Sequence, residues 1–151
     1  VDQPAPPPND SFPRILFHYE DVYVPDIQEH KAEAWILDAI KTEGKQAGDI
    51  SVIFCRDEYL HRINKSYLDH DTLTDVITFD YTGEEGYVSG DIFISYERVE
   101  ENAKLFNQPL PHELHRVIIH GVLHLLGYRD NTGPEKAAMH EKENYYLSLR
   151  F

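Results

Sequence analysis

A chain of 151 residues, 41% hydrophobic and 12% aromatic, is sized for one folded domain and is neither a disordered tail nor a disulfide-dependent miniprotein. Fourteen basic against 27 acidic residues give a net charge of −13, which excludes the broad basic surface of a non-specific nucleic-acid binder. No apolar run approaches the roughly 20 residues of a membrane span, Val1–Asp10 lacks the segments of a secretory signal, and the single cysteine, Cys55, precludes an internal disulfide and fits a cytoplasmic setting.

Residues 1–13 hold five prolines among polar residues and read as a flexible leader ahead of one domain over 14–151. Ile15–Tyr19 has the composition of a short strand. Pro25-Asp26 opens a helix through about Glu43, with Gly44 as its stop. Ile50–Cys55 alternates as a strand in which Cys55 is a small buried hydrophobe. Asp57–Leu68 is a helix with Tyr59, Leu60, Ile63 and Tyr67 on one side. Asp75–Tyr81 and Val88–Ile94 are strands separated by the turn residues 82–86 and are expected to pair as a hairpin. Ser95–Asn107 forms a helix seamed by Val99, Ala103 and Phe106. Pro109-Leu110-Pro111 breaks it and starts the next helix, which runs to about Leu126. A last helix extends from Gly133-Pro134-Glu135 to about Leu149. This order predicts an α+β fold, a single domain with a small mixed β-sheet and helices packed on it.

The helix ending near Leu126 carries the chemistry. His120 and His124, four residues apart, project roughly 40° and about 6 Å apart on one face, so both imidazoles can reach one ion. Asp130 would lie on a different face if the helix continued, but Gly127 can adopt the left-handed conformation that reverses the chain and returns Asp130 to the histidines. Two imidazoles and one carboxylate leave a coordination position open, as a catalytic site requires, and suit one Zn²⁺ per chain or another divalent metal. Burying two histidines among Val117, Ile118, Ile119, Val122, Leu123 and Leu125 without partners would cost on the order of 1–3 kcal/mol each. The H-E-x-x-H peptidases place a glutamate base after the first histidine; here that residue is Gly121, a place where a substrate backbone could approach the metal. His112, His115 and His140 are expected at the surface, His115 about 140° around the helix from His120.

His120–Tyr128 resembles the H-G-x-L-H-L-x-G-Y signature of the YbeY family of bacterial rRNA maturation factors. The likeness continues through Ile63-Asn64, Tyr67, Thr74–Phe79 and Ser89–Ile92. It implies a zinc-dependent, single-strand-specific endoribonuclease of ribosome biogenesis, with His120 and His124 as metal ligands and Asp130 where the family usually has a third histidine. A family arginine thought to contact RNA phosphate is replaced by Leu68, leaving Arg62, Lys65, Arg116 and Arg129 as candidate phosphate contacts. The resemblance also implies single-stranded RNA or rRNA, ribosomal proteins and ribosome-associated factors as partners, and no membrane. Asp75 and Asp91 are read as turn caps or local partners, the competing role being a hydrogen bond to a metal ligand or proton acceptance. No residue is assigned as general base. Two other functions fit the pattern: a metallopeptidase with metzincin-like spacing, which Gly121 disfavours, and a non-enzymatic ribosome-associated factor whose metal serves the fold.

Overall fold

The computed structural model describes residues 15–68, 74–83 and 86–151. The proline leader and Glu84-Glu85 of the expected turn lie outside those residues. Four strands, β1 (Ile15–Tyr19), β2 (Gln46–Cys55), β3 (Val76–Asp80) and β4 (Tyr87–Ser95), form one mixed sheet in the order β1-β2-β4-β3. β1 and β4 run parallel to β2, while β3 and β4 make the expected hairpin, Val76 opposite Ile94 and Asp80 opposite Gly90.

The two-residue period of the strands divides the core. Ile50, Val52 and Phe54 of β2 and Ile92 and Ile94 of β4 point to one face, where they meet α1 (Glu29–Thr42), α4 (Leu110–Leu125) and α5 (Gly133–Ser148). Cys55, Ile77, Phe79 and Phe93 point to the other face, beneath Leu60, Tyr59 and Ile63 of α2 (Asp57–Leu68). α3 (Tyr96–Leu105) starts directly from β4, with the Ser95 side chain accepting from the Arg98 N–H as its N-cap. α4 is packed on several sides: Leu114, Val117, Ile118, Ile119, Val122, Leu123 and Leu125 are all buried. At roughly 1.5–3 kcal/mol for each fully buried large aliphatic side chain, this helix is a principal source of stability as well as the carrier of the site.

Three expectations are revised. α1 begins at Glu29 and not at Pro25, because the Asp26 carboxylate accepts from the Gln28 N–H in a tight turn and Gln28 takes φ 56°, outside helical space. β2 starts at Gln46, its pairing with β4 interrupted by a register shift between Ala47 and Ile50 that hid the alternation. His115 is buried, not superficial. Its ring packs edge-on against Trp35 and Phe151, at 5.5 and 5.0 Å between centroids, because the side of α4 away from the ligand pair is also covered.

Candidate metal centre

The end of α4 is built as its glycine suggested. Gly127 takes φ +102°, its N–H donates to the His124 carbonyl, and the Tyr128 N–H donates to the Leu123 carbonyl. This paired reversal satisfies the last carbonyls of the helix and turns the chain back on itself. A capping box then fixes the start of α5: the Thr132 hydroxyl accepts from the Glu135 N–H, and the Glu135 carboxylate accepts from the Thr132 N–H. Asp130 is held between these two devices.

The result brings all three expected ligands together. His120 Nε2 and His124 Nε2 are 3.0 Å apart, and Asp130 Oδ2 lies 3.4 Å from each. Three donors bound tetrahedrally at about 2.0–2.1 Å would stand about 3.3 Å from one another, so the set His120, His124 and Asp130 could hold one metal ion. The opposite ring atoms set the tautomers. His124 Nδ1 is 3.0 Å from the Tyr128 carbonyl oxygen, which can only accept, so Nδ1 carries the proton and Nε2 presents a lone pair. His120 Nδ1 donates to Glu143 Oε2 at 2.7 Å. Lone pairs and a carboxylate oxygen aimed at one point repel unless a positive charge sits among them.

The surroundings favour that charge. Burial alone would lower the basicity of His120, but the Glu143 hydrogen bond and charge, followed by Asp130 and Asp75, outweigh it and raise the pKa above the usual histidine value. Glu143 is buried, which would raise its pKa, yet the bonds from His120 and from Arg116 (Nη1 to Oε1, 2.8 Å) hold it below the ordinary carboxylate range. Arg116 is tied in turn to the Asn144 side-chain oxygen at 2.7 Å.

The ligands open on a cavity of about 690 Å³ between α2, the β3 edge, α4 and α5. Asp75 lines it, its carboxyl pushed up by burial. Asp75 accepts from Asn102 Nδ2 at 3.3 Å, and the carboxylate that accepts from a candidate ligand ring is that of Glu143. Asp91 is not part of the cavity wall and pairs with the Tyr81 hydroxyl. Leu68 stands on the cavity rim. Of the candidate phosphate contacts, Arg116 lines the cavity, whereas Arg62 is exposed over the Tyr59 ring, and Lys65 and Arg129 are exposed.

Gly121 does not face the cavity. A Cβ there would stand 2.6 Å from Ile92 Cγ2, so the glycine serves close packing of α4 on β4, and the expected approach of a substrate backbone at this position is withdrawn. Sequence reading missed Glu143 and Glu113, both buried carboxylates on the cavity wall. The available signal for Glu143 was periodicity: with Met139, Tyr146 and Leu147 it occupies the inward stripe of α5, where a carboxylate needs a partner.

The family model described as Endoribonuclease YbeY matches residues 17–149. The chain is 48% identical over 136 residues to a protein of Flavobacterium johnsoniae named Endoribonuclease YbeY, covering 89% of this chain and 96% of the relative. It is 51% identical over 135 residues to a protein of the same name from Christiangramia forsetii, covering 89% and 93%. A solution structure from Thermotoga maritima superposes with a TM-score of 0.65 at 30% identity, covering 89% of this chain and 87% of that one.

Proposed function

Because the chain belongs to the YbeY endoribonuclease family, we propose that it is a zinc-dependent endoribonuclease of the cytoplasm, that residues 14–151 are its catalytic domain, and that it cuts single-stranded RNA during ribosomal RNA maturation and ribosome quality control. The observation that carries this reading is the convergence of His120 Nε2, His124 Nε2 and Asp130 Oδ2 on one point at the wall of an open cavity. Held there, a divalent cation supplies Lewis acidity for phosphodiester hydrolysis. Glu143 and the Tyr128 carbonyl keep both rings in the ligating tautomer. Asp75, half-buried on the same wall and within electrostatic reach of His120, is the group we assign to proton exchange with the reacting water or leaving oxygen.

The net charge of −13 supports a single-stranded substrate, since tracking a duplex calls for a basic surface and a lone strand can be met by a local site. No helix among the described residues is long and apolar enough to cross a membrane. Cys55, its thiol pushed up to about 12 by burial, is unreactive and suits a reducing compartment. Ribosomal proteins and ribosome-associated factors are the partners this role calls for. Packing of Gly121 against Ile92 leaves no room for the glutamate base of an H-E-x-x-H peptidase. The test incubates zinc-loaded protein with a labelled single-stranded rRNA fragment, its duplex and its DNA counterpart. Cleavage of the single-stranded RNA, abolished by chelator and by Asp130→Ala, is expected. Intact RNA, or Asp130→Ala protein cutting at the wild-type rate, overturns the proposal.

A further inference from the structure

The carboxylate at the end of α1 takes no part in the chemistry assigned so far. Glu43 is the C-cap residue, fixed by a reversal in which Gly44 takes φ +79°, its N–H donates to the Lys41 carbonyl and the Lys45 N–H donates to the Ile40 carbonyl. The Glu43 side chain, 11% exposed, accepts from three donors: the Tyr128 hydroxyl at 2.5 Å, the Lys142 ammonium at 3.1 Å and the Tyr146 hydroxyl. Lys142 also sits 5.7 Å from the centre of the Tyr128 ring. Burial would raise the Glu43 pKa, but these donors prevail and hold the group below its usual range, so it stays an anion.

Tyr128 is where this cluster meets the metal centre. Its carbonyl orients His124, its N–H closes the end of α4, and Asp130 follows two residues later. Lys142 and Tyr146 lie on α5 around Glu143, the acceptor for His120. We propose that Glu43 is a positioning residue of the metal centre: by gripping the Tyr128 hydroxyl from α1 it holds the segment bearing Asp130, and the carbonyl that aims His124, in ligating geometry. The inference rests on the metal-dependent reading above. It places one determinant of ion affinity on a helix that supplies no ligand, acting through side chains that never touch the ion.

The experiment titrates zinc, in competition with a chromophoric chelator, into full-length wild type, Tyr128→Phe, Tyr146→Phe and Glu43→Gln proteins, and follows amide exchange of residues 128–131 without metal. Tyr128→Phe and Glu43→Gln are expected to weaken zinc binding about tenfold, the lower end for residues supporting metal ligands, and to speed exchange in that segment. Tyr146→Phe removes another donor from the same carboxylate while leaving the Tyr128 hydroxyl bond to Glu43 in place. It is expected to lower the melting temperature while keeping zinc affinity within about twofold of wild type. Wild-type affinity and exchange in Tyr128→Phe would overturn the proposal, as would a Tyr146→Phe defect equal to that of Tyr128→Phe, which marks a purely structural role. Failure of the wild-type protein to bind zinc would instead strike the metal-dependent reading, while the metal-free exchange data still decide whether Glu43 holds the segment.

Discussion

Replacing Glu143 by Gln isolates what the buried carboxylate contributes to the metal centre. The side chain is 8% exposed and faces two donors, His120 Nδ1 at 2.7 Å and Arg116 Nη1 at 2.8 Å. Gln preserves the volume, so no cavity cost enters, but its single amide oxygen serves only one donor and its NH₂ group meets the other head-on. Each hydrogen bond to a charged group is worth about 1.5–3 kcal/mol, and breaking a fully buried pair costs about 3–5 kcal/mol. Arg116 is 21% exposed and keeps Asn144, so the lower range applies, a loss of about 1.5–3 kcal/mol in the metal-free protein. Zinc affinity should fall by about 10- to 100-fold, equivalent to roughly 1.4–2.7 kcal/mol, because His120 loses the partner that fixes its tautomer. Urea denaturation without metal and competitive zinc titration, on one preparation, measure both quantities. A Glu143→Gln protein within about 0.5 kcal/mol and twofold of wild type would refute the reasoning from buried charge to ligand orientation.

Asp75→Asn should reduce RNA cleavage about 100-fold while leaving zinc affinity within about threefold; unchanged cleavage would remove Asp75 from the proton-exchange role. Gly121→Glu should destabilise by at least about 1–3 kcal/mol, because its Cβ would drive into Ile92, and should confer no peptide hydrolysis; a stable variant in thermal denaturation would show that α4 can move off β4. His115 is held neutral down to about 4 by burial, with Arg150 adding to the effect. The unfolded chain therefore takes up this proton first, and the contribution to stability is full above about pH 6.5 and is lost as pH falls toward 4. Denaturation midpoints across that window should fall less steeply in His115→Phe, by on the order of 1–3 kcal/mol in total, and parallel curves would exclude His115 as the source.

The parts of the molecule that were legible in the sequence are those determined by local rules. α2 has the bounds its pattern predicts, and the hairpin pairs its two strands as expected. The convergence of the three candidate ligands was readable because Gly127 and the four-residue histidine spacing are themselves local devices. What escaped was set by distant packing. Nothing within a few residues of His115 announces that Trp35 and Phe151 cover it, and Gly121 looks like an opening until Ile92 of β4 is placed against it. Glu43 and Glu143 meet their partners across separations of 85 and 27 residues, at Tyr128 and Arg116. A carboxylate in a helix reads as solvated unless the stripe it shares with apolar neighbours is traced.

The helix that presents both imidazoles is also the helix most fully enclosed by the rest of the protein. Tinkering there damages architecture and chemistry together, so evolutionary or engineered drift in which RNA is accepted has little latitude along α4. The latitude lies across the cavity, on α2 and β3, where Leu68 is 40% exposed. A designer wishing to retune recognition without losing the fold should randomise that bank and leave the opposite one alone.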